Sequence, residues 1–315
     1  MRLVLLNPSS TPALAGALAH FEAGFTYPLG ATQRFGVRHG SDYSLFFRAM
    51  GQAHCIVALD GEHVLGTIAI VLRDIVAPDG QIRVAAYLGD LKITPAARGG
   101  RVLIQLARHA AAWALAHTGI AFSVVMGGTA VTPDRYTGRA GLPSFKALAN
   151  IAVIRIPLDR AAAHSEALAD TAFENTAAPF RRLSAGRYAA LAFAPHLRSA
   201  ITPTALTLSG HDACGFIEDT RHAKRLIVEG GTEMVSAHLS NFAYRNVGAG
   251  ARLLDAACVH AARGGFPALF CAVPEPDAAV LLAALAASGA TVAPARVYGC
   301  GLPDNVDWNI NTSEI

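Results

Sequence analysis

The residues best suited to chemistry lie in one short stretch, Arg245-Asn246-Val247-Gly248-Ala249-Gly250. A cation precedes two glycines two apart, and Leu253-Leu254 opens an apolar run just after them. The preceding segment, 233–241, is strand-compatible, so the order is strand, glycine turn, helix N-terminus. Such a junction aims several backbone N–H groups and the positive end of a helix dipole at one point. Glycine lets a large anion approach the backbone closely. A pyrophosphate suits that chemistry. A plain tight turn before a core helix suits the same residues, because short glycine motifs are weak signals.

The construction occurs twice. Pro95-Ala96-Ala97-Arg98-Gly99-Gly100-Arg101-Val102-Leu103 lies 147 residues upstream. With that offset Arg98 falls on Arg245, Leu106-Ala107 on Leu253-Leu254, and Asp90 on Ala237. The run Phe122-Ser123-Val124-Val125 falls on Leu269-Phe270-Cys271-Ala272. A repeat this long points to two copies of a domain rather than to a solenoid, whose units are much shorter.

Composition agrees with a well-cored globular chain: 315 residues, 52% hydrophobic and 16% charged. A net charge of +3 with no block of like charges argues against a nucleic-acid partner. The five cysteines, at 55, 214, 258, 271 and 300, form no C-x-x-C pair. Reduced core cysteines in a cytoplasmic protein are expected, without a disulfide framework or a metal site. The apolar run after Met1 is too short for a signal peptide, and no membrane span is expected.

The elements that must position the two junctions follow in order. Ser41-Asp42 is placed to cap a helix carrying Tyr43, Leu45, Phe46, Phe47 and Met50. Two strand-like runs flank Asp60-Gly61 and predict an antiparallel hairpin. A strand through 82–93 leads into the Arg98 turn, and Leu103, Leu106, Ala107, Ala110 and Trp113 predict a core-facing helix after it. Residues 151–156 read as a closing strand of the first half, and 292–301 as a closing strand pair of the second. The expected division is 1–158, a connection over 159–178, and 179–315. Trp308 is expected to anchor the polar closing segment.

Each half thus runs strands, central strand, glycine loop, helix, strand, short helix, strand. With its loop residues the chain resembles the GNAT superfamily of acyl-CoA-dependent N-acetyltransferases, whose loop is R/Q-x-x-G-x-G/A. Arg245 to Gly250 match that pattern fully; Arg98-Gly99-Gly100-Arg101-Val102-Leu103 departs from it at Arg101 and Leu103. The resemblance covers about residues 50–300 as a tandem pair. It implies an α/β (α+β) fold of two GNAT-like domains, each a mixed, mostly antiparallel twisted sheet flanked by helices. It also implies acetyl-CoA as acyl donor, no metal, and a small-molecule primary amine or amino acid as acceptor. A monomer or homodimer, with no nucleic-acid or membrane partner, completes the expectation. The family's CoA contacts carry over to Leu91, Ile93, Arg98, Gly99, Gly100, Arg101 and Val102 in the first half. In the second they carry over to His238, Ser240, Arg245, Asn246, Val247, Gly248, Ala249 and Gly250. Asp90 stands where the family often places the base that deprotonates the amine. Tyr136 nearly matches the tyrosine that protonates the departing thiolate. In the second half Leu285 stands at that tyrosine's place, and His238 is the alternative base. The halves therefore look complementary, the first keeping acid/base groups and the second the intact phosphate loop. The other readings are a pair that binds acyl-CoA or a partner without turnover, and an enzyme for a longer acyl donor.

Overall fold

A computed structural model of the chain describes residues 1–7, 11–29, 33–158, 167–170, 172–285 and 289–315. Most of the first half of the expected connection, residues 159–166, lies outside them. The chain begins with β1 (Arg2–Leu6), α1 (Thr11–Ala23), β2 (Tyr27–Leu29), β3 (Gln33–Arg38) and α2 (Tyr43–Arg48). Long strands β4 (Gln52–Asp60), β5 (His63–Val76) and β6 (Ile82–Ile93) follow, then α3 (Arg101–Leu115), β7 (Ala121–Met126), α4 (Pro133–Tyr136) and β8 (Lys146–Pro157). Next come β9 (Ala167–Asp170), α5 (Ala177–Leu183), β10 (Tyr188–Ala190), β11 (Thr204–Leu208), β12 (Ala213–Glu218) and β13 (Arg225–Val228). The last elements are β14 (Ala237–Tyr244), α6 (Val247–Arg263), β15 (Ala268–Pro274), α7 (Glu275–Ala284), β16 (Thr291–Cys300) and β17 (Trp308–Asn309).

Among the described residues one mixed sheet of 14 strands carries the fold, in the order β1-β4-β5-β6-β7-β16-β8-β15-β14-β12-β11-β9, with β10 and β17 attached beside it. A small sheet, β13-β3-β2, joins strands from both halves of the sequence. β5 is buried along most of its length, since α3 packs against it, as do α1 and α2. Its sequence is accordingly a continuous apolar run rather than an alternating one. The expected hairpin forms, with Asp60 paired to His63 across Gly61 at φ 57°. Asp42 caps α2 by accepting from the Ser44 amide at 3.1 Å.

Two strands differ from the sequence reading. Residues 291–300 make one strand, not a pair, and β16 inserts between β7 and β8. Val297 lies opposite Val124 on one side and Ala149 on the other. β8 in turn pairs with β15, Ile154 opposite Cys271. The halves thus exchange their closing strands. The physical reason is that β8 and β16 are both apolar strands, and a strand's own residues do not name its partner across the sheet.

Among the described residues four apolar clusters fill the layers, the smallest gathering Val76, Phe180, Ala189, Cys214 and Ala243. One lies between α3 and the first half of the sheet, with Leu106, Ala110 and Ala114 at its centre. A second lies under α6 and α7 around Leu253, Leu254 and Leu281. The third covers the opposite face and runs through both halves, from Phe46 and Phe47 to Ala272 and Trp308. Trp308 is 0% exposed, with its ring 4.9 Å from both Tyr188 and Phe122, so the closing segment is anchored as its tryptophan suggests. Among the described residues no helix is long and apolar enough to cross a membrane.

Candidate active site

β6 and β7 run parallel, but they pair only at Ala86–Ala121 and Tyr87–Phe122. Beyond these pairs the strands part. The cause sits in β6, where the register against β5 shifts between Thr67 and Ala69. Asp90 takes the extra position with φ 51°, and the Thr67 hydroxyl donates to its carbonyl at 2.9 Å. A bulge of this kind bends its strand and sharpens the local twist.

A cavity of about 420 Å³ occupies the split, within the range of small-molecule sites. It reaches both faces of the sheet. One lobe lies under α3 and is lined by Ala107, Ala111, Ala114, Leu115 and Val125. The other lies on the opposite face, among Phe46, Phe47, Val153, His238 and Phe270. The small sheet supplies Tyr27, Phe35, Val37 and Leu226 to the second lobe.

Asp90 lines this cavity, with both carboxylate oxygens engaged. Oδ1 is 2.5 Å from Lys92 Nζ, and Oδ2 accepts from the Tyr43 hydroxyl. Burial, the largest single influence, works to raise the Asp90 pKa, but Lys92, His39 and the Tyr43 hydroxyl together outweigh it and hold the carboxyl below the usual range. Burial likewise works against the Lys92 charge, and Asp90 with Tyr27 and Glu22 reverses that, so the ammonium is held above its usual range. Glu22 meets His39 Nδ1 at 2.5 Å and lies 3.9 Å from Lys92. Glu22, His39 and Asp90 have the spacing of a metal-ligand set. The Lys92 ammonium already supplies the positive charge among them. A carboxylate held in this way is a weak proton acceptor and a firm anchor for the bulge.

His238 forms part of the facing wall. It is buried, its Nδ1 lies 2.9 Å from Thr312 Oγ1, and its ring stacks on Phe270 at 5.3 Å. Nε2 makes no hydrogen bond among the described residues. Burial first, then Lys224 and Arg198, push its pKa well below the usual value, so the imidazole is neutral at pH 7. Tyr136 stands on α4 against the same cavity, where burial, and then Asp134, raise its phenol to about 12. It remains a proton donor at neutral pH.

Lys224 was not legible as a site residue. In Arg221-His222-Ala223-Lys224-Arg225 it reads as part of a solvated basic run. It is buried instead, 2.7 Å from the Ile315 carbonyl and 4.8 Å over the Phe46 ring. Burial draws its pKa down to about 7.

The two glycine loops differ sharply. At α3 the N-cap is Gly100, with no side chain capping the helix, and Gly99 has φ 76°. Arg98, Gly99, Gly100 and Arg101 are exposed, while Val102 turns into the core. At α6 the Asn246 side chain accepts from the Ala249 amide at 2.9 Å, and Arg245 pairs with Asp212 at 3.1 Å. A Cβ on Gly250 would lie 2.9 Å from the Tyr244 ring. The α6 loop is thus closed on itself, and the glycine serves packing.

The second half also has a split. β14 and β15 pair only at Ala237–Leu269 and His238–Phe270. Asn241 has φ 48°, opposite a register shift between Cys214 and Phe216. Asn241, not Ala237, is therefore the counterpart of Asp90. The offset of 147 fails here because the first half spends extra residues on the turn Pro95–Ala97 before its helix. The closing segment packs across this second split. Asn311 Oδ1 accepts from the Asn241 amide at 2.8 Å, and Ser313 meets Ser240 at 2.9 Å. Ser240 also donates to Glu218, which holds the buried Arg198.

Of the residues expected at the site, Asp90, Leu91, Tyr136 and His238 line one cavity. Arg98 to Val102 cap the helix that forms its roof, with Ile93 at the end of the strand before them. Ser240 and Arg245 to Gly250 lie apart from it.

No protein-family model matches the sequence, and no curated protein matches it. Solved structures do match its shape. N-myristoyltransferase from Saccharomyces cerevisiae, with bound myristoyl-CoA, superposes with a TM-score of 0.66 at 8% identity, over 99% of this chain and 87% of that one. A GCN5-related N-acetyltransferase from Anabaena variabilis gives 0.53 at 16% identity, over 95% of this chain and 72% of that one. At such identities the likeness is one of fold. Mixed sheet, split central strands and coverage of both halves agree: the chain carries the GNAT fold in its tandem form.

Proposed function

We propose that the protein is an N-acyltransferase that moves an acyl group longer than acetyl from a CoA thioester to an amine. The observation that carries this is the apolar lobe under α3. From Ala107 to Leu115 its roof extends about 12 Å at the helical rise of ~1.5 Å per residue. A two-carbon acyl group needs far less. The acetyl donor implied by the family resemblance gives way to a longer chain on this ground. The likeness to a myristoyltransferase seen with myristoyl-CoA supports the same reading.

In this reading the pyrophosphate meets the bare N-terminus of α3, with Arg98 and Arg101 beside it. Pantetheine passes Leu91, the acyl chain enters the lobe under α3, and the amine approaches from the other face. Its nitrogen attacks the thioester carbonyl; the C–N bond forms and the C–S bond breaks. His238, neutral and oriented by Thr312, takes the proton the nitrogen loses. Tyr136 returns a proton to the departing thiolate. Asp90 and Lys92 hold the bulge that opens the split.

Thiol release with acetyl-, octanoyl- and myristoyl-CoA against a panel of amines tests the reading. We expect kcat/KM to rise at least tenfold from the two-carbon to the longer donors. In the same assay His238→Gln is expected to lose roughly 10²–10⁴ in kcat. A preference for acetyl-CoA sinks the longer donor, and binding without thiol release for any amine sinks the transfer.

A further inference from the structure

The lobe facing away from α3 carries a positive group with nothing to balance it. Arg155 lies on β8, opposite Phe270 of β15 and Thr291 of β16, and lines the cavity. Its Nε is buried and has no hydrogen-bond partner. Among the described residues the guanidinium makes no ion pair either. Lys224, buried against the same cavity, meets only main-chain oxygens, whereas three other buried cations have carboxylate partners. Arg73 meets Glu314 at 2.9 Å, Arg198 meets Glu218 at 2.8 Å, and Lys92 meets Asp90 at 2.5 Å. Burial draws the Arg155 pKa below the guanidinium norm, as expected for a charge lacking a counter-ion. Among the described side chains that line the cavity, Asp90 is the sole carboxylate, and Lys92 already neutralises it.

Arg155 is half-buried; a guanidinium drawn partly out of water gains from a partner, and its planar fork matches a carboxylate. Val153, Phe270 and Ala293 around Arg155 are apolar, and Thr291, opposite it on β16, is the polar cross-strand neighbour; Lys224 and His238 line the same cavity. We propose that Arg155 receives a carboxylate on the acceptor, so that the acylated amine belongs to an amino acid. The inference rests on the N-acyltransferase reading and names its acceptor class. An amine lacking the carboxylate leaves Arg155 unpaired, which is the kind of loss that gives strong discrimination.

The test is calorimetric binding in the presence of CoA, with glycine, L-norleucine and L-phenylalanine against their decarboxylated partners methylamine, n-pentylamine and phenethylamine. At least one amino acid is expected to bind tenfold or more tightly than its amine. Arg155→Met should erase that gap and leave the amine's affinity unchanged, and Arg155→Lys should restore part of it. Because the charge is unpaired in the free protein, Arg155→Met is expected to melt no lower than wild type. No gap in any pair, or a gap that survives in Arg155→Met, overturns the proposal. Thiol release with the same panel separates the two readings. A binding gap without release keeps the subsite and removes the transfer. Release that ignores both the carboxylate and Arg155 keeps the transfer and removes the subsite.

Discussion

The two strand–loop–helix junctions share a backbone and differ in what fills them. Asp90 and Asn241 occupy matching bulges at φ 51° and 48°. In each, the neighbouring strand supplies a donor to the bulged carbonyl, Thr67 at 2.9 Å and Cys214 at 3.7 Å. Each central strand then leaves its parallel neighbour. In the first half the gap is a cavity; in the second, residues 308–314 pack across it. The helix N-terminus is bare in the first half and capped by Asn246 in the second. A glycine motif therefore reports the path of the backbone, while access for a ligand depends on what else has been folded against it. In Gly250 the missing Cβ makes room for a tyrosine of the same chain.

The sharpest way to break this comparison is to loosen the second half. Trp308→Ala removes a fully buried ring and is expected to cost about 3–5 kcal/mol of stability, read by denaturant unfolding. A change below about 1 kcal/mol would mean that the closing segment merely rests on the split. Gly250→Ala comes next. The new methyl meets the Tyr244 ring, at an expected cost of about 1–3 kcal/mol, with acyl-CoA affinity unchanged. Lost affinity at unchanged stability would return the cofactor to the α6 loop. Gly100→Asn gives α3 the cap that α6 already has. Acyl-CoA should then bind about tenfold more weakly, equivalent to ~1.4 kcal/mol by titration calorimetry, while the helix gains a cap. Equal or tighter binding would place the pyrophosphate elsewhere.

The smallest effect concerns pH. The Asp90 pKa is lowered in the folded protein, so its ion pair adds stability above the unfolded carboxyl value of about 3.9. That stability is lost as pH falls through the folded value. Asp90→Asn should flatten this acid limb, whereas Asn241→Ala should leave its slope alone. An unchanged limb in Asp90→Asn would mean that the Asp90 pKa is not lowered on folding.

Much of the architecture was legible because it is written locally. The Asp60-Gly61 hairpin, the Asp42 cap and the α3 stripe each follow from neighbouring residues. The tandem form followed from a repeat. What stayed hidden depends on distant partners. Nothing in β16 says that it will lie against Val124 rather than within its own half. The fixed offset misplaced Asn241, because a longer turn in one copy slides strand against helix without leaving a mark in the composition. The Arg245 loop was readable as backbone, but its closure needed Tyr244, Asn246 and Asp212 to be seen together. Arg155 is a cation within the apolar run of β8, and only the lack of a partner sets it apart.

The exchanged strand has a consequence for how the protein comes into being on the ribosome. Residues 121–126 form an edge that waits for residues 295–300, so the N-terminal half cannot finish folding as it emerges. Its apolar edge must be shielded until residues 295–300 are made, and contacts this distant in sequence close slowly. A nascent chain stalled before β16 should be the aggregation-prone species, and chaperone dependence should end when that strand clears the exit tunnel.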